Sequence, residues 1–217
     1  MRALLLLLLA SGTASAGNNE IAFGGTSRAL RTTSADAVTN NSLDGGTLSY
    51  ARALEIDTVP GVQLWAEGAF DWGGAEGKMF QVMDTELRSS SFSVAGRARY
   101  ALHPRLAANA RFALGPTKES LDITDGSGQR ASDAGWGAMV AGSVGLELRP
   151  IIAPKVSFAL RFDLGYVATS PIGLVAHAET SSSGSGSGTL MLPMQDASLG
   201  KLNLSGPSLA INAVAQF

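Results

Sequence analysis

The chain has 217 residues, with 16 Lys+Arg against 18 Asp+Glu, no Cys, 26 Gly and 8 Pro. A 45% hydrophobic, 16% charged composition excludes a disordered chain, and the absence of thiols excludes a disulfide scaffold or a cysteine-ligated metal centre. A formal charge of −2 lacks the basic excess that nucleic-acid binding needs. Mean hydropathy is nevertheless positive, at +0.16.

The first segment reads as a secretory signal peptide over residues 1–16. Arg2 supplies a positive start, Ala3 to Ala10 is an unbroken apolar run, and Ala14-Ser15-Ala16 fits the small-x-small cleavage pattern. Eight apolar residues are too few to cross a bilayer as a helix, which takes about 20. Residues 17–217 then form a single exported domain.

That domain alternates. Val62, Leu64, Ala66, Gly68, Phe70 and Trp72 form one row; Gln63, Trp65, Glu67, Ala69 and Asp71 form the other. Successive side chains of a strand point to opposite faces, so this pattern predicts a strand with two unlike faces. It recurs over 92–102, 106–114, 136–148, 156–166 and 209–217. The apolar rows carry no charge. The opposite rows carry Glu67, Asp71, Glu147 and Asp163 against Arg97, Arg99, Arg111 and Arg161. Two weaker strands precede these. Over 20–30, Ile21 and Phe23 oppose Glu20 and Arg28; over 47–57, Leu48, Tyr50, Leu54 and Ile56 share a row with Arg52. Arg costs about 2–4 kcal/mol at a lipid-facing mid-membrane position, so either a β-bulge shifts the phase or Arg52 lies near an interface.

Connections alternate between short and long. Residues 58–61, His103-Pro104 and 150–154 are short, proline-bearing turns; 31–46, 73–90, 115–134 and 168–207 are long and rich in Gly, Ser, Thr and Asp. Eight strands with alternating short and long connections predict an all-β, antiparallel, up-and-down transmembrane barrel. Trp72, Phe92, Trp136 and Tyr166 then fall at the loop ends of their strands, and Tyr100 and Phe158 near the turn ends. Two aromatic girdles of this kind belong at the two membrane interfaces.

The chain resembles the small eight-stranded outer-membrane barrels of the OmpA and OmpX type over most of residues 17–217. The C-terminal Leu209, Ile211 and Phe217, alternating up to a terminal aromatic, resemble the signal that the barrel assembly machinery reads in that family. The resemblance implies residence in the bacterial outer membrane and contact with its lipid. It also implies a structural or surface-interaction role, with lipopolysaccharide or another surface partner met through the long loops. Eight strands leave an interior that side chains fill, so the balanced row of charges should pair across the lumen.

Three other readings compete. A small channel requires that charge network to rearrange. A lipid-modifying barrel enzyme would draw on Ser170, His177 and Glu179, but no recognised motif surrounds them. A soluble periplasmic barrel binding an apolar ligand conflicts with the inward charges. No cofactor or metal is expected. Asp122 to Gly128 lacks the acidic twelfth position of a calcium loop and suits a hairpin tip, and Ser181 to Gly188 is a flexible tip. Deleting residues 180–188 should therefore leave the barrel folded, checked by its gel mobility before and after heating; an accompanying loss of adhesion would assign that loop a partner.

Overall fold

The computed structural model describes residues 18–36, 38–56, 59–79, 82–126, 130–152, 156–178 and 197–217. The segment read as a signal peptide and the tip at 181–188 lie outside them, as does Glu179.

Eight strands close into a ring: β1 (Asn19–Ala29), β2 (Ser42–Leu54), β3 (Val62–Met79), β4 (Met83–His103), β5 (Leu106–Thr124), β6 (Arg130–Ile152), β7 (Ser157–Thr169) and, last in the chain, β10 (Gly206–Gln216). All neighbours are antiparallel, and β10 returns to pair with β1. Phe217 and Asn19 exchange both backbone hydrogen bonds, at 2.9 and 3.0 Å, and so finish the seam. Pro207 has no N–H, and the β1–β10 ladder accordingly starts one residue later, at Ser208. The turn between β2 and β3 relies on Gly61, whose φ of 81° lies in the left-handed region.

The outer surface of the ring is an apolar belt. Phe92, Val94, Phe112, Val144, Leu146, Leu164 and Ile211 are all exposed on it. Arg52 also faces outward. The ladders of β2 with β1 and with β3 run without a register shift, and Arg52 sits two residues from the turn end of β2. No bulge rotates it inward, and its cost is that of an interface position, about 0–1 kcal/mol.

Three of the long connections differ from the loops expected of them. Strands β3 and β4 stay paired up to Met79 and Met83, and β5 and β6 up to Thr124 and Arg130. Most of 73–90 and 115–134 is therefore strand. The stretch 168–207 holds the end of β7, a hairpin of β8 (Ile172–Ala178) and β9 (Ala197–Leu202), and the start of β10. The physical reason is an inversion of polarity. In the belt, apolar residues face out; past it, Asp84, Glu86, Arg88 and Lys118 face out while Leu87, Leu121 and Ile123 are buried. The strands continue, but the apolar row has changed sides.

Those inward residues build a second core beyond the belt. Leu87, Leu121, Ile123, Ala75 and Met79 from β3–β5 pack with Ile172, Leu174, Leu202 and Leu204 of the β8–β9 region. The segment from Leu30 to Asn41, with the one-turn helix α1 (Thr33–Asp36), contributes Ala35 and Val38. It is pinned by Thr39 Oγ1 donating to the Ala35 carbonyl at 2.9 Å and by the Asn40 N–H donating to the Glu76 carbonyl at 3.0 Å. Each fully buried Leu contributes about 1.5–3 kcal/mol. The barrel therefore carries an apolar cap at its loop end. Leu87→Ala should cost the cap about 2–5 kcal/mol, measured as faster proteinase K cleavage of the β3–β4 and β8–β9 hairpins while the membrane-embedded ladder stays resistant.

Candidate functional site: a charge-paired lumen

Inside the ring, the alternation of each strand delivers one polar side chain to the interior at every second residue. Nine of the interior charges form one connected network. Glu20 of β1 is its centre: its Oε1 accepts from Arg161 Nη1 at 2.7 Å and forms an ion pair with Arg97 Nη2, also at 2.7 Å. Arg97 reaches Glu67 with its Nε at 3.8 Å, and Arg111 Nε donates to the other oxygen of Glu67 at 2.8 Å. Arg161 Nε donates to Asp163 at 3.2 Å, and Asn212 donates to the same carboxylate at 3.5 Å. Toward the turn end, Glu147 forms an ion pair with Arg99 at 3.2 Å and accepts from Arg149 Nε at 2.9 Å. Arg149 also donates to Gln216, whose side-chain amide donates to Glu20 Oε2 at 3.4 Å. The two halves are thereby joined.

Burial makes this pairing obligatory. Arg97 is 2% exposed, Glu20 1% and Glu147 0%. A buried charge without a partner of opposite sign costs several kcal/mol, and here each carboxylate of the network has a guanidinium within 4 Å. Arg97 additionally lies 5.2 Å from the ring centre of Trp65, itself fully buried. That contact adds a cation–π attraction.

Seven of the eight charges picked out by alternation meet in this network. Asp71 does not: it is half-buried nearer the loop end, within electrostatic reach of Arg28. Alternation put Glu20 on the face opposite Ile21 and Phe23 in a weaker strand without counting it among the eight, and it missed Arg149, one step past the end of 136–148. Continuing the phase of β6 by one residue would have found Arg149. Carried past the belt, the same phase adds Glu119. Among the described residues, six carboxylates (Glu20, Glu67, Asp71, Glu119, Glu147, Asp163) and six guanidiniums (Arg28, Arg97, Arg99, Arg111, Arg149, Arg161) face the interior.

Trp72, Phe92, Tyr100, Trp136, Phe158 and Tyr166 all stand on the outer face. Trp136, 71% exposed, has the Lys118 ammonium 6.0 Å from its ring centre. Leu209 and Ile211 of β10 and Phe217 just past its end form an outward row. Of the residues considered for catalysis, Ser170 Oγ accepts the Ala138 N–H at 2.8 Å and its own N–H donates to the Ala138 carbonyl. The backbone of His177 pairs with Ser132. His103 is exposed in its turn, its Nδ1 accepting from the Arg105 N–H at 3.3 Å. Among the described residues no cluster of three His, Asp or Glu is placed to hold a metal.

No family model and no curated protein matches this sequence. Among solved structures, the chain is similar to Ail, the attachment invasion locus protein of Yersinia pestis. The TM-score is 0.50 at 14% identity, over 94% of this chain and 100% of that one. This is the fold of the small eight-stranded outer-membrane barrels. A second Ail structure, in complex with the heparin analogue sucrose octasulfate, gives the same TM-score at 13% identity, again over 94% and 100% of the two chains. Neisserial surface protein A is also similar, with a TM-score of 0.43 at 11% identity, over 94% of this chain and 98% of that one.

The barrel's stability should hinge on Glu20. Removing it by Glu20→Ala leaves Arg97 and Arg161 without their shared carboxylate, a loss of about 3–5 kcal/mol. Urea unfolding in detergent, followed by the heat-modifiable gel shift, reads that loss, and Glu20→Gln should fall between the two.

Proposed function

We propose that this chain is a bacterial outer-membrane barrel, exported by its N-terminal signal peptide, whose role is structural or surface-interacting rather than catalytic. The observation that carries the reading is the pairing of an apolar outer belt with a charged interior. A belt whose one charge among the described residues, Arg52, sits at the turn end of β2 is stable against hydrocarbon and unstable against water. The interior charges, tied to one another, fill the lumen instead of lining a channel. Ring closure leaves no open strand edge in the lipid, as a membrane-spanning sheet requires.

In this reading the aromatic residues on the outer face, Trp72, Phe92, Trp136 and Tyr166 toward the loops and Tyr100 and Phe158 toward the turns, anchor the two interfaces. Leu209, Ile211 and Phe217 are the row that the assembly machinery recognises. The capped hairpins stand outside the cell and are the surface available to lipopolysaccharide or another partner. Ail was solved with a heparin analogue, but the outer faces of these hairpins carry mixed charge. Glu86 pairs with Arg88 at 2.7 Å and Asp84 with Lys78 at 3.4 Å, which does not favour a polyanion.

The mature chain should fractionate with outer membranes and migrate faster on gels before heating than after. Recovery in the soluble periplasmic fraction, with one mobility, would contradict the proposal.

A further inference from the structure

Glu119 stands apart from the ion-pair network. It lies on the inner face of β5, one residue beyond Lys118, whose side chain faces outward beside Trp136. It therefore belongs to the segment above the belt. Its side chain is 0% exposed, and neither carboxyl oxygen has a hydrogen-bond partner among the described residues. Directly across the β5–β6 ladder sits Gly135. A Cβ added to Gly135 would lie 2.2 Å from Ile172 Cγ2, so Ile172 occupies the place of the missing side chain, beside Glu119. Ile172 opens β8 and is 4% exposed within the apolar cap.

The hairpin that Ile172 anchors is held chiefly by its apolar side chains in the cap, with few ladder bonds to the barrel wall. Among the described residues β8 pairs with β6 through two registered pairs, Ala178 with Ala131 and His177 with Ser132. Beyond these, the Val175 N–H donates to Asp133 Oδ2 at 2.6 Å. On the return side, Arg28 Nη1 donates to the Leu204 carbonyl at 3.2 Å. Arg28 is also the cation that faces Glu119. Asp71 of β3 confronts Arg28 in turn. Of the other walls, β4 brings Leu87, Ser89 and Ser91 and β8 brings Ile172, none of them titratable; β6 brings Gly135 and Gly137 and, two residues from Gly135, Asp133, whose carboxylate accepts the Val175 N–H.

We propose that Glu119 is a proton-controlled latch for the β8–β9 hairpin. As a neutral acid it tolerates Ile172 against it. As a carboxylate it repels that apolar contact and draws Arg28 from the Leu204 carbonyl, loosening the hairpin at both of its ends. The inference rests on the barrel reading above but does not follow from it.

Burial pushes the Glu119 carboxyl up from 4.5 to about 7, with Arg28 pulling the other way. A group whose pKa is higher in the seated form binds its proton more tightly there. Seating is therefore fully favoured below pH 4.5, declines as pH rises toward 7, and is no longer helped above that.

The chain has no cysteine, so one can be introduced as a reporter. Leu174→Cys places a thiol in the cap, where the residue is 2% exposed; Val82→Cys places one in a connection, where it is 68% exposed. The rate of maleimide labelling at 174 divided by that at 82 cancels the intrinsic pH dependence of the thiol. With Glu119 present, this ratio should rise at least about tenfold from pH 5 to pH 8. In Glu119→Gln it should stay low, and in Arg28→Gln the rise should move to higher pH. Proteinase K cleavage of the hairpin in the cysteine-free chain should follow the same pattern, so a reporter that disturbs the cap does not decide the matter. A rate independent of pH, or an equal rise in Glu119→Gln, overturns the latch. The heat-modifiable gel shift, scored on the same samples, separates that result from a failure of the barrel to fold.

Discussion

A charge enclosed by a ring of eight strands has little water to fall back on, and the arrangement of this lumen follows from that constraint. One carboxylate, Glu20, holds two guanidiniums at 2.7 Å each, and six further charges are reached from them by passing from partner to partner. Because Glu20 lies on β1 while its partners lie on β4 and β7, the pairs span the barrel rather than running along one strand. The network fills the interior and also ties distant staves together. A neutral polar lumen would lack the second of these effects.

The strands respond to a change of solvent along their own length. Where the outer face meets hydrocarbon, apolar residues point out and charges point in. Where the same strands emerge into water, the assignment reverses, and β4 shows this within a few residues: Phe92 and Val94 are exposed in the belt, whereas Leu87 is buried beyond it. Two cores result from one continuous sheet, a polar one in the membrane and an apolar one above. The apolar cap closes the loop end, and the ion pairs occupy the middle.

Alternation made the belt legible from sequence, because period-two patterning is unambiguous when one face is lipid. It also made seven members of the charge network legible, since an inward charge needs no neighbour to be recognised. Glu20 was harder to assign, because Gly24, Gly25 and Thr26 dilute the apolar row that identifies β1. The cap was not legible for a more basic reason. Its strands carry the same period with the opposite sign, so a row followed from the belt turns polar and reads as loop. The docking of Ile172 over Gly135 is a contact between residues far apart in sequence, and no local pattern announces it. Arg52 reads as an error in its row, and the unbroken ladder shows it to be an interface position.

A plugged lumen is the claim on which the account stands, and electrical recording tests it most directly. In a planar bilayer at neutral pH, the folded full chain should show no large steady conductance, because ion pairs bridge the interior and an apolar cap covers its loop end. A large steady conductance through the unmodified chain would contradict the account.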